Sequence, residues 1–136
     1  MIDGARLTAR RFHALMLPIP GARPQDGLLV MIENGVLTRI SVAEPSVLKT
    51  DRGFGAGTAA AAVKAAYGLS AVAKPHKYSA APAEDIFVWA SRGPTTPDAY
   101  VQDPAARGVR YEIDGEGKVG MVHVGGPSIQ LVEGCS

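Results

Sequence analysis

The sequence predicts a mixed α+β domain, with antiparallel hairpins packed around one alanine-rich helix, and three observations carry that prediction. Gly27 to Glu33 (GLLVMIE) is a short apolar run, followed by Asn34-Gly35 and a second run, Val36 to Val42 (VLTRISV); Asn-Gly between such runs is the strongest local signature of a two-residue β-hairpin. Ala59 to Tyr67 (AAAAVKAAY) consists largely of strong helix formers and is stopped by Gly68. Val109 to Ile113 (VRYEI), Lys118 to Val124 (KVGMVHV) and Ser128 to Glu133 are separated by Asp114-Gly115-Glu116-Gly117 and Gly125-Gly126-Pro127, which reads as a closing three-strand meander.

Each element follows from its residues. The continuous apolar character of Gly27 to Glu33 predicts a buried strand, and two-residue alternation places Val36, Thr38, Ile40 and Val42 on one face of its partner. Glu44 to Arg52 is a polar connection. The helix has no polar side chain except Lys64, so it is expected to be enclosed nearly all round, and its small alanines suit a curved sheet wrapped closely about it. Residues 70 to 108 are irregular and hold Pro75, Pro82, Pro94, Pro97 and Pro104, with a short strand at Asp85 to Ala90 and another at Asp98 to Gln102. In the final meander His123 shares a face with Val119 and Met121. Pro18, Pro20, Gly21 and Pro24 break regular structure near the start. The 136 residues therefore read as a single domain, with 1–26 an N-terminal segment and 27–136 a barrel-like body.

Composition excludes several function classes. Hydrophobic residues make up 46% of the chain and charged residues 20%, a balance that folds rather than remains disordered. A net charge of +1, with no basic cluster beyond Arg10-Arg11, gives no electrostatic footprint for nucleic acid or an anionic membrane. No run approaches a membrane span, and the N-terminus lacks the apolar core of a signal peptide. Cys135 is the single cysteine, which permits no internal disulfide and fits a reducing, cytoplasmic setting.

The segment Asp51-Arg52-Gly53-Phe54-Gly55-Ala56-Gly57-Thr58 precedes the helix and carries the chemistry. Helix N-termini present unpaired N–H groups and partial positive charge, and glycines admit an anion to that backbone. Gly55, Ala56, Gly57 and Thr58 are thus candidate carboxylate-binding positions, with Thr58 as cap or ligand. The same glycines serve equally to permit a tight turn and close packing. The spacing fits neither a dinucleotide fingerprint nor a phosphate-binding P-loop. Other polar groups are weaker candidates. Glu44 stands near the hairpin end, His76 in a polar loop, His123 among packed residues and His13 in an apolar-basic stretch. The histidines lack metal-ligand spacing, Cys135 lacks a partner, and Phe87 and Trp89 read as core or interface.

Phe54 to Val63 (FGAGTAAAAV) resembles the C-G-T-G-A-C-A-A-A-V type motif in the second domain of diaminopimelate epimerases. Val124 to Gly134 (VGGPSIQLVEG) is similar to the closing segment of that family and of the phenazine-biosynthesis PhzF-like isomerases. Asp51 to Gly55 has the Asp-to-Gly spacing of the latter's D-P-A-T-G-S-A turn. The resemblance covers roughly residues 27 to 136. It implies one diaminopimelate-epimerase-like domain, a curved sheet around a central helix, and cofactor-independent proton transfer on a small carboxylate, with Asp51 as acid/base. Such chemistry requires a base within reach and preorganised donors for the developing charge. Relatives have two such domains with the site between them, so a homodimer is the economical way to complete it; a separate first-domain chain is the alternative. Phe54 stands where the epimerases carry a catalytic cysteine and Ala56 where the PhzF-like motif carries serine. These departures point to the other reading, a non-catalytic binding or assembly domain of the same fold.

Overall fold

A computed structural model describes residues 26–96 and 99–131. The strands β1 (Leu28–Glu33), β2 (Val36–Ala43), β3 (Val72–Pro75), β4 (Glu84–Ser91), β5 (Arg107–Ile113) and β6 (Val119–Gly125) form one curved, open antiparallel sheet in the order β1-β2-β6-β5-β4-β3. The helix α1 (Ala60–Tyr67) lies between β2 and β3 in the chain. The fold is mixed α+β, as expected. Asn34 and Gly35 both have positive φ, 52° and 78°, the backbone of a type I′ turn. β4, β5 and β6 form a meander.

Alternation sorts the sheet's side chains onto two faces. Ile40, Val122, Val124, Val109, Tyr111 and Ile86 are buried in one core cluster, which Ala60 and Val63 of α1 complete. Leu48, Phe54 and Tyr67 pack against its margin. Full burial of an aliphatic side chain contributes about 1.5–3 kcal/mol, so this face is the main source of cohesion.

The structure corrects several expectations. Only Ala60 and Val63 of α1 are buried; Ala61, Ala62, Lys64, Ala65 and Ala66 face solvent. Because the sheet is open, with edges at β1 and β3, it flanks the helix on one side rather than enclosing it in a barrel. β1 buries Leu28 and Met31 alone. A β-bulge lies opposite Met31/Ile32, so Ile32 pairs with Leu37 and Val36 loses the face of Ile40. A second bulge pairs Ile113 with Val119 and Glu112 with Met121, which places Val119 in the apolar core and leaves His123 with Met121 on the other face. The segment after β6 is not a strand: Pro127–Gln130 forms a 3-10 turn, where proline at the first position and a short reach favour a tight helical turn. Residues 99–102 form no strand; 97–98 and 132–136 lie outside the described residues. β3, in the proline-rich stretch, was not expected; Pro75 is accommodated at its end on a sheet edge.

Candidate functional site

The turn ahead of α1 is tightly knit. Asp51 is exposed. Gly55 is buried, and a Cβ there would come within 2.7 Å of the Leu48 carbonyl oxygen, so packing demands glycine at this position. The Gly55 N–H donates to Thr58 Oγ1 at 3.1 Å. The N–H groups of Gly57, Thr58 and Ala60 donate to the carbonyls of Val119, Gly55 and Gly117 at 2.8, 3.1 and 2.9 Å. Four donors near the start of α1 thus hold this turn together and tie it to β6. Ala56 lines a shallow cleft of about 430 Å³ with Glu44 and residues 45–49; Asp51 does not line it.

Below Asp51 lies a chain of hydroxyls that the sequence did not single out. Tyr111 donates to Thr50 Oγ1 at 3.0 Å, and the Tyr67 and Tyr111 oxygens are 2.9 Å apart. Phe54 stacks edge-on to both rings, with centroid distances of 6.0 and 6.1 Å. Burial pushes both phenols above their ordinary range, and the negative charge of Asp51 adds to that. The Arg52 guanidinium stands 4.9 Å from the Tyr67 ring centroid.

The opposite face of the sheet carries a buried polar grid. Ser41, His123, Arg110 and Phe87 stand side by side on β2, β6, β5 and β4, and Met121, Glu112 and Asp85 form the next row. Arg110 Nη1 donates to Asp85 Oδ1 at 3.1 Å and lies 3.6 Å from Glu112 Oε1. Arg110 Nη2 donates to the Leu131 carbonyl, which also receives Arg39 Nη1. Ser41 Oγ and His123 Nδ1 are 2.6 Å apart, and His123 Nε2 lies 3.6 Å from Glu112 Oε1. Burial drives His123 down to about 4, so it is neutral at pH 7. With the imidazole proton on Nε2, Nδ1 accepts a hydrogen bond from the Ser41 hydroxyl. The His123 contact first, then the Arg110 charge, hold Glu112 below its ordinary value; burial raises Asp85 against the pull of Arg110. Arg110 Nε and His123 Nε2 are buried without a hydrogen-bond partner. Ser41, at 2% exposure, is too enclosed to meet a substrate.

Beside this grid is an open cleft of about 750 Å³, lined by Leu37, Arg39, Gln102, Pro104, Arg107 and Ser128 among others. Its wall is fixed by Gln130, whose side chain accepts from Val101 N–H and donates to the carbonyls of Val101 and Pro127. Arg107 is held by its Nη1, which donates to the carbonyls of Pro104 and Ala106 at 2.9 and 2.7 Å. Gly126 makes room: a Cβ there would sit 3.4 Å from Arg107 Nη1. With Nη1 held, Nε and Nη2 are the guanidinium's remaining donors.

His76, Phe87 and Trp89 have structural contacts. His76 Nδ1 accepts from the N–H groups of Tyr78 and Ser79. Phe87 and Trp89 stack on each other. His13 and Cys135 lie outside the described residues. Among the described residues no group of three His, Cys, Asp or Glu side chains is placed to hold a metal ion, and no helix is long and apolar enough to cross a membrane. The grid was foreshadowed by alternating polar residues in TRISV, VRYEI and MVHV; the long-range pairing with Asp85 had no local signal. Fold and site together define a mixed α+β domain with an open antiparallel sheet, polar on its second face. The chain matches no family model, no curated protein and no solved structure.

Proposed function

We propose that the chain is a non-catalytic binding domain that takes a small carboxylate with an apolar body in the cleft beside β2 and β6. The observation that carries this reading is Arg107, whose guanidinium is clamped through Nη1 and lines the cleft with Leu37 and Pro104. A fixed guanidinium loses little entropy on binding, and its free edge matches a carboxylate bidentately. The apolar body of the ligand packs against Leu37, Pro104 and Pro127. Calorimetric titration with a panel of short aliphatic and aromatic monocarboxylates tests this. The native chain should bind at least one, and Arg107→Ala should weaken it by about ten- to a hundredfold. Binding of none, or equal binding by Arg107→Ala, would sink the reading.

A second reading follows the resemblance: one domain of the diaminopimelate-epimerase-like and PhzF-like superfamily, moving a proton on a small carboxylate through Asp51. The observation favouring it is the hydroxyl chain of Thr50, Tyr111 and Tyr67 under the Asp51 turn. A partly exposed phenol next to a carboxylate supplies an acid opposite a base. The reading requires deuterium from solvent to enter the α-position of a bound carboxylic acid with the native chain and not with Asp51→Asn. Equal exchange by both proteins removes Asp51 from the chemistry.

A further inference from the structure

The two edges of the sheet differ in a way that assigns one of them a partner. A bare strand edge presents unpaired N–H and C=O groups and invites another strand, so proteins guard such edges with proline, lysine, shortness or charge. β3 is guarded: it has four residues and carries Lys74 and Pro75. β1 is not. It has six residues, LLVMIE, with no proline and no charge before Glu33 at its end. Its exposed side chains before Glu33 are apolar, with Leu29, Val30 and Ile32 at 61%, 45% and 55% exposure, and Val36 and Leu37 continue the patch on β2 at 60% and 49%.

The backbone register says which groups are free. The Gly27 carbonyl accepts from Ala43 N–H, so by antiparallel alternation the odd-numbered residues of β1 bond to β2. The N–H and C=O groups of Leu28, Val30 and Ile32 therefore point outward. We infer that β1 is a homodimerisation edge: it pairs antiparallel with β1 of a second copy, about a two-fold axis at Val30, and joins two six-stranded sheets into one.

The strand is self-complementary in that register. Val30 faces Val30 of the second copy, Leu28 faces Ile32, and Leu29 faces Met31, so every cross-strand pair is apolar. Asp26 and Glu33 fall at the rim. Leu28, Val30 and Ile32 each exchange both backbone hydrogen bonds, as an isologous interface requires. Leu29, Val30 and Ile32 bring their exposed apolar side chains to this seam, beside the backbone hydrogen bonds. A chemically different partner would need no such self-match.

Sedimentation velocity on the full chain across a dilution series tests the inference. The native chain should have twice the monomer mass and fall to the monomer mass on dilution. Val30→Pro removes an outward N–H and leaves the β1–β2 ladder intact, so it should be monomeric with an unchanged circular dichroism spectrum. Val30→Lys sets two ammonium groups face to face and should do the same; it serves if the proline variant fails to fold. In a Cys135→Ser background, Val30→Cys should oxidise to a covalent dimer. A native chain that is monomeric throughout, as it would be if another part of the chain covered β1, overturns the inference. So does a Val30→Lys protein that remains dimeric, or a Val30→Cys protein that does not cross-link.

Discussion

The two faces of the sheet are both buried at the centre, yet they are held by different physics. On the helix side, Ile86, Tyr111, Val122 and Val63 fill a contiguous apolar core. That face tolerates volume-conserving exchange, because hydrophobic burial is non-directional. On the other side, Arg110, Asp85, Glu112, His123, Ser41 and Arg39 lie in a grid in which position and protonation state both matter. Ionic groups out of water are costly unless each finds a partner. The difference teaches that the helix face supplies cohesion, whereas the grid ties neighbouring strands to one another and to the Leu131 carbonyl.

The sharpest way to break this contrast is at Arg110. Arg110→Ala leaves Asp85 buried without its cation, and equilibrium urea unfolding should show a loss of about 3–5 kcal/mol. The paired replacement Arg110→Met with Asp85→Leu removes both charges and should recover much of that loss, since a well-packed apolar pair often equals a buried ion pair. If the double variant is as unstable as Arg110→Ala, the deficit comes from lost contacts to Leu131 rather than from the orphaned carboxylate, and the two faces are less different than their composition suggests.

The same contrast explains what was legible in the sequence. Local chemistry was readable: Asn34-Gly35 specified its turn, and alanine propensity with Gly68 bounded the helix to within a residue. The helix environment was not, because an alanine surface has no polar face whether it is enclosed or lies in water. Alternation was readable only as far as the first irregularity. The bulge opposite Ile32 displaced Val36, and the bulge after Glu112 moved Val119 to the core while His123 stayed on the polar face. The glycines at Asp51 to Thr58 marked a tight turn correctly, but which N–H groups remain free depends on Gly117 and Val119, some sixty residues away. The polar grid alternated visibly in each strand. Its assembly awaited the strand order, since nothing local pairs Asp85 with Arg110.

A smaller and pH-dependent effect sharpens the comparison at His123 on the polar face. His123 is depressed from 6.5 to about 4 by burial, with the Arg110 and Arg39 charges acting in the same sense and Glu112 opposing them. An unfolded His123 takes up a proton as the pH falls through 6.5, while the folded one stays neutral until about 4. The unfolded state thus binds more protons in that window, and stability, fully present above 6.5, falls as the pH drops toward 4. The whole shift corresponds to a loss on the order of 3 kcal/mol. Glu112, held low, adds its own loss only below 4.5, and Asp85, raised by burial, contributes with the opposite sign. His123→Gln retains a group able to accept from Ser41 but does not titrate, so its stability between pH 6.5 and 4 should be nearly flat in urea unfolding. A slope unchanged by that substitution would mean that another group carries the acid sensitivity and that His123 is accessible to protons in the folded state.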